Sequence, residues 1–388
     1  MKTKPTLFVL GLLAASPTLA AVGEAPRVEV VATPDRGVQP QAVVDASGST
    51  HLVYLRGDPS ASDVHYAARQ PGEADFGPSI RVNSEPGTAL ALGTVRGARI
   101  AIGRGGIVHV AWNGTQKAKP INPINGSPLL YSRSDPNRTH FEPRRNLMTK
   151  TAGLDGGGSI AADSSGNVYV AWHGQARGSS GEGNRRLWVA RSTDDGETFA
   201  PEVAAWSRPT GACGCCGTAA WADSKGSAYL LYRAATGGVD RGMVLLTSRD
   251  RGGHFDGESL DSWRIAACPM STVSFSEGEP GVVAAWETKG QVYSCRIDRE
   301  TGERTLPISP PGGDGSRKHP TVAVNSRGET LLAWTEGTSW QKGGSLAWQV
   351  FDKAGRPLGP PGRAAGAVPV WGLASAIARL DGSFTIVR

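Results

Sequence analysis

One pattern constrains this chain more than any other. An apolar strand, a turn ending in glycine and a second apolar strand closed by an aromatic residue recur along its length. The pattern reads QAVVDASGSTHLVY up to Tyr54, RIAIGRGGIVHVAW up to Trp112 and SIAADSSGNVYVAW up to Trp172. It continues as TAAWADSKGSAYLLY up to Tyr232, the variant FSEGEPGVVAAW up to Trp286, and TVAVNSRGETLLAW up to Trp334. In five of these six the turn glycine stands six positions before the aromatic: Gly48, Gly106, Gly166, Gly226 and Gly328. A seventh hairpin, SAIARLDGSFTIV, closes the chain around Gly382. Alternating apolar residues on either side of a D-x-x-G or N-x-x-G turn make a β-hairpin.

The hairpins return every fifty to sixty residues. A unit that cannot bury its own face must stack on its neighbours. Each unit also holds a third strand, a polar turn and a fourth strand, as in LWVARS-TDDGET-FAPEV and MVLLTS-RDRGGH-FDGES. Four antiparallel strands per unit is a propeller blade. The expectation is an all-β, six- to seven-bladed β-propeller of four-stranded antiparallel blades, and the hairpin count favours seven. The last unit stops after two strands, and the segment from Arg27 to Ala32 is expected to pair with it and fasten the ring. With 52 Gly, 26 Pro and 39% hydrophobic residues, the composition suits many short strands and tight turns rather than disorder.

Lys2 and Lys4 precede an apolar run, Leu7 to Ala15, and a small-residue stretch ends at Ala20 and Ala21. This predicts a signal peptide over 1–21, a single propeller domain over 22–388, and a periplasmic or secreted protein. No later run is long enough to span a membrane. The formal net charge of +6 is scattered and forms no aromatic-interleaved basic patch, which argues against nucleic acid. The expected state is a monomer with a glycan or other small ligand.

The stretch Ser192-Thr193-Asp194-Asp195-Gly196-Glu197-Thr198-Phe199 matches an Asp box, S-x-D-x-G-x-T-[WF]. Ser248, Asp250, Gly252 and Phe255 form a second, weaker copy. With a box at the turn between third and fourth strands, the chain resembles the sialidase (BNR-repeat) superfamily. That resemblance implies a box with a structural role, on the rim away from the active face. Sialidases of this kind carry an arginine triad, a Tyr/Glu nucleophile pair and an Asp acid/base. The first arginine of the triad usually lies in an R-I-P string. Here the nearest string is Arg99-Ile100-Ala101, so no catalytic residue transfers by motif.

The repeat register identifies which polar residues share the ligand-facing end. Leaving the second strands are Arg56, Asn113, His173, Arg233, Glu287 and Glu336. Arg56 and Arg233 are candidates to clamp an acidic group, with Asn113 and Glu336 completing the ring. Glu287 and His173, with Asp155 from the glycine-rich lead-in Asp155-Gly156-Gly157-Gly158-Ser159, are candidates for nucleophilic and acid/base roles. Glu182 and the string Arg317-Lys318-His319 reach the same end. The first functional expectation is therefore an exported glycoside hydrolase acting on an extracytoplasmic, acidic glycan.

The second rests on cysteine. Four of five cysteines lie in two lead-ins to adjacent units: Cys213, Cys215 and Cys216 before the fourth hairpin, Cys268 before the fifth, with Met270 beside it. Three readings stay open: disulfide staples across blades, a soft-metal site for Cu(I) or Zn, and a free or redox-active thiol. The metal or disulfide reading describes a non-catalytic, ligand-binding propeller. A purely structural interaction protein is the third functional expectation. Cys295 is expected to be a core thiol.

Overall fold

The computed structural model describes Met1, residues 25–313 and residues 315–388. Apart from Met1, the expected signal peptide lies outside the described residues. Seven antiparallel hairpins stand around one axis, and no α-helix occurs among the described residues. The innermost strands are Val38–Val44, Arg99–Ile102, Ser159–Ala162, Ala219–Ala222, Ser274–Gly278, Arg317–Val324 and Ser375–Ala378. Each packs against the next, and the last against the first, which closes the ring.

The repeat seen in the sequence has a simple geometric origin. The hairpin-closing pairs Val44 with Thr50, Ile102 with Val108, Ala162 with Val168 and Ala222 with Ala228 are evenly spaced along the chain. Val324 with Thr330 and Ala378 with Phe384 keep that spacing. In the turn after Ala162, Asp163 Oδ1 accepts the N–H groups of Ser165 and Asn167, each at 2.9 Å. Gly166, at φ +90°, takes the left-handed position that other residues adopt only with strain. The fifth hairpin departs from this: Gly278 pairs with Gly281, so only Glu279 and Pro280 make the turn. That explains why its sequence is the variant copy.

The closing aromatics fill the seams between blades. Trp112 packs on Val53 and Leu55 of the preceding blade, Trp172 on Leu129, Trp286 on Leu231 and Trp334 on Val283. Burying such a ring contributes roughly 1.5–3 kcal/mol each, the main force holding neighbours together. The seventh blade is completed as expected: Val28–Val31 runs parallel to Phe384–Val387, and Thr33 N–H donates to the Arg388 carbonyl at 2.7 Å.

The Asp box sits where third and fourth strands meet, at the end of the ring where the hairpins turn. Gly196 N–H donates to Ser192 Oγ at 2.8 Å, and Thr198 N–H to Asp194 Oδ1 at 2.9 Å. Phe199 packs edge-on against Tyr131 at 4.8 Å. The second copy repeats the pattern, with Gly252 N–H on Ser248 Oγ and His254 N–H on Asp250 Oδ1. The box is a turn staple, and the residues that leave the second strands stand at the opposite end of the ring.

Candidate thiol site

At that opposite end the lead-in to the fourth blade folds into a tight loop. Cys213 N–H donates to the Arg233 carbonyl at 2.9 Å, and Gly217 N–H to the Ser271 carbonyl at 3.0 Å, so both ends are fastened. Glu182 Oε1 accepts Gly214 N–H at 2.7 Å while its Oε2 pairs with Arg241 at 2.7 Å. Gly156 N–H donates to the Gly214 carbonyl at 2.6 Å. The loop therefore turns its three thiols together. Cys213 Sγ lies 3.4 Å from Cys215 Sγ and 3.5 Å from Cys216 Sγ, and all three sulfurs fall within 4.8 Å of one another. These separations exceed the roughly 2.05 Å of a disulfide, and all five cysteines are free thiols.

The disulfide reading is thus not what the structure holds. Cys268 is exposed and stands outside the three-sulfur group. Cys295 is buried among Leu245, Phe275 and Ile297, as a core thiol should be.

Two imidazoles approach the thiols without hydrogen-bond partners. His173 is buried, and neither ring nitrogen is bonded. A methyl group on Gly156 would lie 2.9 Å from His173 Nε2 and 2.4 Å from the Cys216 carbonyl, which shows how closely the two segments meet. Burial pushes the His173 pKa down to about 4, so the ring is neutral at ordinary pH. His319 is buried with Nδ1 free, and burial lowers it to about 3. Its φ is +52°, at a bulge between Lys318 and Thr321. Strained backbone of this sort persists where the surroundings demand it. His319, Met270 and Cys215 line one small cavity of about 50 Å³ with Asp155, Arg96, Lys318 and Trp340.

Burial works against the Cys216 thiolate, but contacts from Cys213 and Cys215 and the Arg233 charge outweigh it and hold its pKa well below the usual thiol value. Facing Cys213 and Cys216, the Cys215 thiol is pushed far up.

The expected catalytic and binding residues divide into two groups. Glu287 is ion-paired to Arg233 at 3.2 Å, with both side chains 1% exposed. Glu287 Oε1 also accepts Gly290 N–H at 2.7 Å. Burial raises the Glu287 pKa, with Arg233 opposing. Asp155 is held by Arg96 at 2.5 Å. Asn113 donates to the Gly156 carbonyl at 3.0 Å and positions the glycine lead-in. By contrast Arg56 is paired with Asp35 at 3.4 Å and half exposed, and Glu336 is taken up by Trp334 Nε1 and Arg363. Neither lines the cavity over the thiols. The repeat register did not point to Arg96, Arg185 and Arg241, because they lie in loops outside it. Arg185 is the neighbour of Gly214 and pairs with Glu182 at 3.5 Å.

No protein-family model matches the sequence, and no curated protein does. Solved structures do match. A protein of unknown function from Dyadobacter fermentans has a TM-score of 0.54 at 13% identity, covering 81% of this chain and 94% of that one. The NanB sialidase of Streptococcus pneumoniae gives 0.52 at 10% identity, over 82% and 67% of the two chains. The α-L-arabinanase of Penicillium chrysogenum gives 0.52 at 13%, over 83% and 95%. At such identities the likeness concerns architecture, and glycoside hydrolases are among the neighbours. The fold is that of a sialidase-like β-propeller with seven blades.

Proposed function

We propose that this protein is an exported propeller that binds a soft metal ion, Cu(I), through Cys213, Cys215 and Cys216. The supporting observation is the convergence of three free, largely buried sulfurs within 4.8 Å on one fastened loop. Thiolate and thioether donors select Cu(I) and Zn among biological cations, and Met270 borders the same cavity as Cys215. Charge separates the two ions. Arg96, Arg185, Arg233, Arg241 and Lys318 surround the sulfurs, against the carboxylates Asp155, Glu182 and Glu287. With Arg99 beside Gly217 as a sixth cation, positive charge exceeds the three carboxylates around the loop. Three thiolates with a monovalent ion carry a net charge of −2 and offset that excess more fully than the −1 left by a divalent ion. Binding releases thiol protons, so the affinity rises with pH.

The hydrolase reading keeps fold neighbours in its favour. Against it stand an ion-paired, buried Glu287, an ion-paired Asp155 and a cavity too small for a sugar ring.

The test is anaerobic titration of the reduced protein with Cu(I), using bicinchoninate as competitor. One tightly held Cu(I) per chain, lost in the Cys213→Ser, Cys215→Ser, Cys216→Ser triple variant, is the expected result. No retained copper, or copper retained by the triple variant, overturns the proposal; preference for Zn(II) overturns the choice of ion. Release of sugar from a sialoside or arabinoside panel, abolished by Glu287→Gln in folded protein, would instead establish the hydrolase.

A further inference from the structure

The axial channel is lined by the seven innermost strands and encloses about 440 Å³. One layer of it is formed by residues at the same register in every blade, each paired with the residue just before the closing aromatic or its equivalent. These residues are Gln41, Arg99, Ser159, Ala219, Ser274, Thr321 and Ser375.

Four of them are hydroxyls, and each acts as an acceptor towards a neighbouring blade. Ser159 Oγ accepts Ala220 N–H at 2.9 Å, Ser274 Oγ accepts Val322 N–H at 3.3 Å, Thr321 Oγ1 accepts Ala376 N–H at 3.0 Å and Ser375 Oγ accepts Ala42 N–H at 3.0 Å. With the oxygens so engaged, the hydroxyl hydrogens remain to donate.

Arg99 adds the charge. Its Nη1 donates to Gln41 Oε1 at 2.9 Å, while Nε and Nη2 are buried with no partner. Among the described residues lining the channel, the one carboxylate is Glu277, which Arg299 already holds at 2.8 Å. A buried guanidinium without a counter-ion is costly. Burial alone lowers the Arg99 pKa to about 10, so the group is still charged at pH 7.

We propose that this layer binds a small inorganic monovalent anion of the halide class at Arg99, held by its unpartnered Nε and Nη2. The layer presents donors and no free carboxylate, and no aromatic residue of the layer offers a stacking surface for a larger organic ligand. Arg99 Nη2 also stands close to Gly217, at the end of the thiol loop, so the metal-free protein is the one to test.

Two measurements test it. The melting temperature of the metal-free protein is followed at constant ionic strength as gluconate is exchanged for chloride or bromide. A saturable rise of about 2–4 °C is expected in the native protein, and none in Arg99→Gln. If Arg99→Gln does not fold, crystals exchanged into bromide still decide, because an anomalous peak beside Arg99 is expected. Absence of both the halide-specific shift and the peak, leaving water alone in the layer, overturns the proposal. So does stabilisation by acetate but not by halide, which would indicate a carboxylate ligand.

Discussion

Arg233 and Glu287, the residues that follow the closing aromatics of the fourth and fifth blades, form an ion pair at 3.2 Å with each side chain 1% exposed. Arg233 also donates to the Arg241 and Glu287 carbonyls and lies over the Trp263 ring. The pair thus ties two blades together, and the Arg233 carbonyl accepts Cys213 N–H at 2.9 Å.

Removing one member of such a pair leaves an uncompensated buried charge. Glu287→Leu and Arg233→Met should each destabilise the protein by about 3–5 kcal/mol, and the double variant by clearly less than the sum. Urea denaturation of the four proteins checks this. Additive losses would show that the two side chains do not act as a unit.

Gly156→Ala probes the thiol loop without touching a sulfur. The added methyl would sit 2.4 Å from the Cys216 carbonyl, 2.8 Å from that of Gly214 and 2.9 Å from His173 Nε2. At least one of these segments must shift. The expected outcome is a weakened hold on Cu(I), on the order of tenfold or more, with melting temperature changed far less than by breaking the Arg233 pair. Unchanged copper affinity would mean that the loop is not positioned through this contact.

In the Asp box, Ser192 Oγ accepts Gly196 N–H and donates to Asp194 Oδ1 at 2.6 Å. Ser192→Ala should cost about 1–3 kcal/mol, because a buried N–H loses its acceptor. Copper binding should be unaffected, since the box occupies the other end of the ring. Equilibrium unfolding and the copper titration, run on the same variant, separate the two effects.

His109 supplies a pH dependence remote from the thiols. It is buried, bonded to the Tyr131 hydroxyl at 2.8 Å and 3.3 Å from Asp195. Burial lowers its pKa, although Asp195 pulls the other way. The native state therefore resists protonation, while the unfolded chain takes up a proton near the ordinary value of 6.5. Stability from this group is complete above that value and declines as the pH falls below it. The urea midpoint should drop between pH 7.5 and 5.5, and His109→Gln should show a shallower drop. An equal slope in both proteins would remove His109 as a contributor.

The strand framework was legible in the sequence because a five-residue turn with a left-handed glycine repeats in six hairpins, at Gly48, Gly106, Gly166, Gly226, Gly328 and Gly382, four of them opened by Asp45, Asp163, Asp223 or Asn325. Register then followed from period-two alternation, and with it the shared end that holds His173, Arg233, Glu287 and the thiol loop. Three thiols could be placed together because they lie within four residues. What the pattern could not carry is the pairing of charges across blades. Arg96 meets Asp155, and Arg241 meets Glu182, across a separation of 59 positions in each case, from irregular loops with no periodic signal. The same limit applies to Cys268, which shares a register with the thiol loop but faces solvent. Arg99 was visible only as a string lacking a proline. Its meaning depends on the layer it shares with Gln41 and the four hydroxyls, which emerges only once all seven strands are aligned.

The parallel pairing of Val28–Val31 with Phe384–Val387 has a consequence for biogenesis. The earliest described strand finds its neighbour only in Phe384–Val387, a segment made long after it. No growing chain can complete the circle before Phe384–Val387 has been made, whatever its earlier blades have already achieved. A product cut short ahead of Phe384 keeps six hairpins yet leaves Val28–Val31 without its neighbour. Such a product should be far easier for proteases to clear than its small loss of mass suggests.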